Sequence, residues 1–218
     1  KYRLPRNIIA RMQSLEYDRS FLAARILLDK INANMIISGA FGLFEKKTVI
    51  AVGGYDSSTM GEDMELVVRL HEFSRMNRKP YKIDFAQDAI CWSQTPEKLS
   101  ELGKQRKRWQ RGLFQCMWGH RKMLANPRYG AVGLLSYIYF LFYELLSPFI
   151  ELLGALTIVL SVMMDMLNVK FMLVFLACYA LYGILLTLTA YFSRIYTIDQ
   201  RLSFRELILA IIACFFET

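Results

Sequence analysis

Two clusters of side chains have the types and spacing that group transfer needs. Gly61-Glu62-Asp63 sets adjacent carboxylates after a polar loop, and about forty residues later Gly103 to Gly112 reads G-K-Q-R-K-R-W-Q-R-G. A carboxylate within hydrogen-bond reach of a hydroxyl can take its proton as a new bond forms, help that a weak nucleophile such as a sugar hydroxyl requires. On a helix, Gln105, Arg108 and Trp109 stand at i, i+3 and i+4 and share a face. Arg108 offers a fork of donors that suits the oxygens of a diphosphate leaving group. Gln105 adds a neutral donor, and Trp109 a flat ring on which a sugar can stack. Each cluster has a plainer reading as well. Adjacent acids often partner a helix dipole, and a Trp on an amphipathic helix often sits at a membrane interface. The two together, just before an apolar region, favour chemistry.

The elements that must position these residues follow from periodicity. Apolar residues recur at helical spacing over 6–31, so one or two amphipathic helices are expected there. Residues 35–44 read as a buried strand with small residues where another group comes close. Lys46 to Val52 reads as a short helix stopped by Gly53-Gly54. Glu62 to Met76 reads as a helix with its acidic start at the positive end of the dipole, and Glu65 and Glu72 are expected to be solvated on it. Pro80 to Trp92 reads as one or two strands, with Trp92 in a core. A helix over about 97–125 opens at Thr95-Pro96-Glu97, with Thr as cap and Pro in the first turn, and carries Gln105, Arg108 and Trp109. Trp109, Leu113, Phe114, Met117 and Trp118 form a stripe expected along a membrane interface.

The composition divides at Asn126-Pro127. Of 218 residues 55% are hydrophobic, and residues 129–218 are nearly all apolar while 1–128 hold most of the charge. Phe171 to Phe192 carries no charge and is long enough to span a bilayer as a helix. About 131–164 reads either as one kinked span or as an interfacial helix followed by a span, with Pro148 inside. A third span begins at 207. Glu144 and Glu151, costly in lipid, are expected to face protein or water. The net charge of +8 gathers near the division, in Lys104, Arg106, Lys107, Arg108, Arg111, Arg121, Lys122 and Arg128. With Arg194, Arg201 and Arg205, this places the charged part in the cytoplasm of a multi-pass protein of the cell membrane. The spans and the lack of any reader motif exclude a nucleic-acid role. Cys91, Cys116, Cys178 and Cys214 are too scattered for a disulfide framework or zinc site, and His71 and His120 are expected in ordinary surface or core roles.

The run Gly53-Gly54-Tyr55-Asp56, then Gly61-Glu62-Asp63, Leu66 and Arg69-Leu70, followed by Gln105-x-x-Arg108-Trp109, resembles the processive family 2 glycosyltransferases. These include the cellulose, chitin, hyaluronan and poly-N-acetylglucosamine synthases. The resemblance carries motifs over roughly 6–128 and beyond that only a pattern of spans. It implies an α/β GT-A-like domain, of which 1–128 is the C-terminal half, followed by transmembrane helices over 129–218. It also implies an inverting hexosyltransferase that moves sugar from a UDP-sugar donor to a polysaccharide or oligosaccharide acceptor. Asp63 takes the role of general base, and Glu62 orients the loop or Asp63 itself. Gln105, Arg108 and Trp109 bind substrate, and Ser38 and Gly39, with Ala40-Phe41-Gly42, line the sugar pocket. A tight turn explains those small residues nearly as well. The family's Mg²⁺ or Mn²⁺ is held by an Asp-x-Asp motif in the nucleotide-binding half, and this chain has no such motif. It begins at Lys1 and stops at Thr218 within an apolar run, so it is expected to be one piece of a longer chain and inactive alone. A non-processive enzyme making a glycolipid, and a non-catalytic export or assembly subunit, are the alternatives. An accessory export subunit is a further expected partner, beside the lipid bilayer.

Overall fold

A computed structural model describes residues 7–39, 41–79, 81–198 and 203–213. The helices run α1 Ile8–Arg19, α2 Arg25–Lys30, α3 Lys46–Ala51, α4 Glu62–Met76, α5 Leu99–Gly119, α6 Tyr137–Tyr139, α7 Ser147–Met163, α8 Val169–Ile198 and α9 Phe204–Ala213. A π-turn over Ser20–Ala24 joins α1 to α2, and two more, Val132–Ser136 and Phe140–Leu145, flank α6. The expected residues Lys1, Ala40, Pro80, Arg201, Cys214 and Thr218 lie outside the described residues.

The described chain gathers into two compact units. One holds Arg25–Gln94 and Lys98–Leu146. Its core is made by Met35, Met64, Val68, Cys116, Met117, Met123, Val132 and Tyr137, so α4 and α5 pack with the turns that follow α5. Leu113 and Met117 of the expected interface stripe pack in or against this core. Phe114 and Trp118 stay exposed and stack on each other at 6.0 Å.

No strand occurs among the described residues, so the strands expected over 35–44 and 80–92 are corrected to extended, unpaired chain. The reason lies in their hydrogen bonds, which go to side chains and not to a neighbouring strand. Just before the first segment, Ala33 O accepts from Ser136 Oγ at 2.5 Å and Asn34 O bonds His71 Nε2 at 2.8 Å, and within it Gly39 N donates to Asp63 Oδ2 at 3.0 Å. The Asn32 side chain bonds Tyr81 O and Ile83 N, and Asp29 Oδ1 accepts from Phe85 N. Without a sheet to cover it, Trp92 is 73% exposed and is not a core residue.

The other unit holds residues 7–24, 95–97 and 147–213 of the described chain. Asn7 caps α1 by accepting from Ile9 N and Ala10 N. α1 packs against α8 and α9, burying Leu15, Leu22, Ala190 and Ala210, and Asp18 pairs with Arg194 Nη2 at 2.5 Å. Pro96 O and Glu97 O accept from Gln13 and Asn7. Those bonds hold Thr95–Glu97 outside the helix, so α5 starts at Leu99, later than its Thr-Pro-Glu signal predicts. It also ends earlier than expected, at Gly119, where His120 caps it and a 3₁₀ turn follows.

α8 is long and apolar enough over Val169–Thr197, 29 residues, to cross a membrane. The apolar run before it is broken at Leu146, beside Pro148. The 17 residues of α7 make about 26 Å at ~1.5 Å per residue, short of a bilayer core on their own.

Candidate active site

Asp63 lies in the first turn of α4, a turn that also holds Glu62 and Glu65. Its Oδ2 accepts from Gly39 N at 3.0 Å and its Oδ1 from Met64 N at 2.8 Å. A carboxylate accepts about four hydrogen bonds, so both oxygens keep capacity for an incoming hydroxyl. A Cβ on Gly39 would meet Asp63 Cβ and Oδ2 at 3.4 Å, ordinary van der Waals contact, so the two residues lie side by side. The structure thus brings Gly39 and Asp63 together. Ser38 is half-buried and its carbonyl closes a turn with Phe41 N, while Glu62 points outward and is exposed.

Behind Asp63 lies Arg25, which sequence reasoning missed. Burial pulls its guanidinium down to about 10, opposed by the negative charges of Asp63 and Glu144. It remains a cation at neutral pH. Glu144 therefore answers to protein charge, and Tyr139 also donates to it at 3.4 Å.

α5 carries the second cluster. Gln105 is half-buried, and its amide oxygen has no hydrogen-bond partner among the described residues. Arg108 is exposed. Trp109 is 39% exposed, and the Arg106 guanidinium sits 5.2 Å from its ring centroid, covering part of the surface expected to stack a sugar.

Asp63 does not bond directly to Gln105, Arg108 or Trp109; backbone joins the clusters instead. Gly112 packs on Gly61, and a Cβ there would fall 2.7 Å from Gly61 N and 2.8 Å from Gly61 Cα. Gln115 Oε1 accepts from Met60 N at 3.0 Å, and Gln110 Nε2 donates to Leu145 O at 2.8 Å. Gly112 lies one turn after Arg108 and two after Gln105, so their helix face is the one set against the start of α4. A glycine inside a helix costs about 1 kcal/mol, and that penalty was the available sign of a close approach.

A second polar cluster joins the same two helices. Arg69 donates to Val52 O and Gly54 O, both at 2.6 Å, and to Glu65 Oε2 at 2.7 Å. The loop is shaped for this by Gly53 and Gly54 at φ +96° and +76°, values that favour glycine. His120 sets Nδ1 2.6 Å from Glu72 Oε2 and Nε2 3.3 Å from Glu65 Oε1. Burial opposes the charge of His120, but its bonds to Glu65 and Glu72 outweigh that and raise the imidazole above its usual value. Burial likewise opposes the Glu65 charge, yet bonds from His120 and Arg69 hold this carboxyl below its usual value. Glu65 and Glu72 are thus paired side chains and not solvated ones. His71 is a core residue, its imidazole pushed down to about 4 by burial.

Among the described residues no group of three His, Cys, Asp or Glu side chains is placed to hold a metal ion.

The sequence profile described as glycosyl transferase family group 2 matches residues 2–216. The chain belongs to that family. Within it, the chain is 32% identical over 120 residues to the poly-β-1,6-N-acetyl-D-glucosamine synthase of Staphylococcus aureus strain COL, and equally to that of strain N315. The Staphylococcus epidermidis (strain ATCC 35984) synthase of the same description is 31% identical over 120 residues. Each match covers 55% of this chain and 26% of the relative. The chain thus spans about a quarter of the length of these curated relatives. No solved structure matches it. Family 2 membership and these relatives agree with the synthase-like resemblance of the two motifs.

Proposed function

We propose that the whole protein is a membrane-bound, inverting hexosyltransferase that adds sugar from a UDP-sugar to a growing polysaccharide. N-acetylglucosamine is the first sugar to test, because the relatives are described as poly-β-1,6-N-acetyl-D-glucosamine synthases. One observation carries the reading. Asp63 is aimed by Gly39 and Met64 at the start of α4, and Gly112 and Gln115 hold the helix of Gln105, Arg108 and Trp109 against that same start.

In this reading Asp63 takes the proton of the acceptor hydroxyl as the hydroxyl oxygen attacks the anomeric carbon and the UDP oxygen leaves. Arg108 stabilises the departing diphosphate, Gln105 bonds donor or acceptor, and the open part of the Trp109 ring supports the acceptor sugar. Glu62 orients the loop, while Ser38 and Gly39 border the pocket. Mg²⁺ or Mn²⁺ would offset diphosphate charge from ligands other than these residues. The catalytic part faces the cytoplasm, α8 crosses the membrane of a multi-pass chain, and repeated addition feeds the polymer outward, with or without an accessory export subunit.

The test is UDP release by the full-length protein in membranes, across UDP-sugars with Mg²⁺ or Mn²⁺, beside Asp63→Asn. Turnover with one sugar, lost in the variant, is the expected result. Long products support repeated addition, and a discrete glycolipid would replace it with single transfer. No turnover by folded protein would leave an export subunit as the better reading.

A further inference from the structure

Both ring nitrogens of His120 face carboxylate oxygens, Glu72 Oε2 at 2.6 Å and Glu65 Oε1 at 3.3 Å. A neutral imidazole has one N–H, so one nitrogen would turn a lone pair toward a carboxylate; the imidazolium alone satisfies both contacts. Position reinforces this. His120 caps the C-terminus of α5, the negative end of its dipole, and its own N–H donates to Cys116 O at 3.0 Å. The remaining charged and titratable neighbours fit the same state. Arg69 occupies the other oxygen of Glu65, and Cys116 is buried with its thiol pushed up to about 12 by burial and by Glu65 and Asp63. Arg121 turns away, over the Trp118 ring at 5.2 Å.

We infer that His120 is a positioning residue for the transfer: its imidazolium clamps α5 to α4 at one point, Gly112 on Gly61 forms the other, and deprotonation opens the clamp. Together with the Gln115 bond to Met60 N and the core packing of Cys116 and Met117, these attachments fix where Gln105, Arg108 and Trp109 lie relative to Asp63; without the His120 bridge the C-terminal end of α5 loosens against α4 and that placement relaxes. The inference rests on the proposed transferase reading for its catalytic consequence and on geometry for the clamp. The sign follows from the raised imidazole. The stabilisation is complete below the usual value of about 6.5 and is lost as pH rises through the higher folded value.

The test uses full-length protein, in membranes for UDP release and in detergent for thermal unfolding, from about pH 6 to about pH 9. Wild type is compared with His120→Lys, whose ammonium stays charged across that range, with His120→Gln, and with Glu72→Gln. Wild-type kcat is expected to fall by roughly tenfold toward the alkaline end, with little change in KM for the donor, since a small misplacement of a binding group is enough. His120→Lys should keep its kcat there, Glu72→Gln should lose it at lower pH, and His120→Gln should be low throughout. The wild-type unfolding midpoint should fall over the same interval and that of His120→Lys should not. Alkaline profiles that coincide in wild type, His120→Lys and Glu72→Gln overturn the inference, even if His120→Gln does not fold. If wild type releases no UDP, the transferase reading fails and the unfolding curves alone decide. Curves that diverge with pH keep the clamp, and parallel curves remove it.

Discussion

At the scale of single residues, orientation dominates the candidate site. Asp63 is held by two backbone N–H groups, one on each oxygen, so Asp63→Asn keeps the shape of the side chain, removes its ability to take a proton, and sets its NH2 against one of those N–H groups. UDP release should drop by roughly 10²–10⁴, the range typical of a lost general base, with only a small fall in the unfolding midpoint from the one lost N–H bond. A lowered midpoint with UDP release kept would mark the acid as structural. Arg108→Lys retains the charge but loses the planar fork, so turnover should fall by at least about tenfold while folding is untouched. The sequence made both residues legible through their types. It did not disclose Arg25, because nothing in the α2 segment distinguishes an arginine beneath a site from one in water.

At the scale of elements, the close contact of α5 with the start of α4 sets the spacing of the two motifs. Gly112→Ala would push a methyl into the backbone of Gly61 and Met60, where a Cβ meets atoms at 2.7 to 3.0 Å. Overpacking of this kind costs typically 1–3 kcal/mol, and the unfolding midpoint should fall accordingly, with UDP release lost as well. An active, equally stable Gly112→Ala protein would show that the contact does not set the spacing. In the unit that contains α1 and α8, burial raises Asp18 to about 6 from 3.8, against the attraction of Arg194. The folded chain therefore binds this proton more readily than the unfolded one, and stability falls as pH rises from about 4 to about 6. Unfolding midpoints across that interval should decline in wild type and decline less in Asp18→Asn.

For the whole molecule, the question is what the apolar half does. Most side chains of α8 between Phe171 and Leu185 face outward, an arrangement that water penalises and lipid does not. Full-length protein should stay in the membrane pellet through an alkaline carbonate wash, and its release would remove α8 as a span. The Leu181→Arg variant, a charge near the middle of that helix, should lower the pelleted fraction, since a charge at the bilayer centre costs roughly 2.5–3.5 kcal/mol on insertion scales.

Sequence alone determined which residues could do chemistry, because carboxylate, guanidinium and indole act through their own atoms and the i, i+3, i+4 spacing follows from the helix repeat. It also determined α3, α4 and the Phe171–Phe192 stretch of α8, whose stop signals, acidic first turn and uncharged length are local properties, while α8 itself extends to Val169 and Ile198 and takes in Lys170 and Arg194. Only the tertiary structure decided that 35–44 and the segment around Trp92 lie extended without a sheet, since a strand exists only where another strand takes up its hydrogen bonds. It alone set α1 against α8 through Asp18 and Arg194. The His120 bridge to Glu65 and Glu72 was equally hidden, because charges about fifty residues apart become partners only when two helices cross.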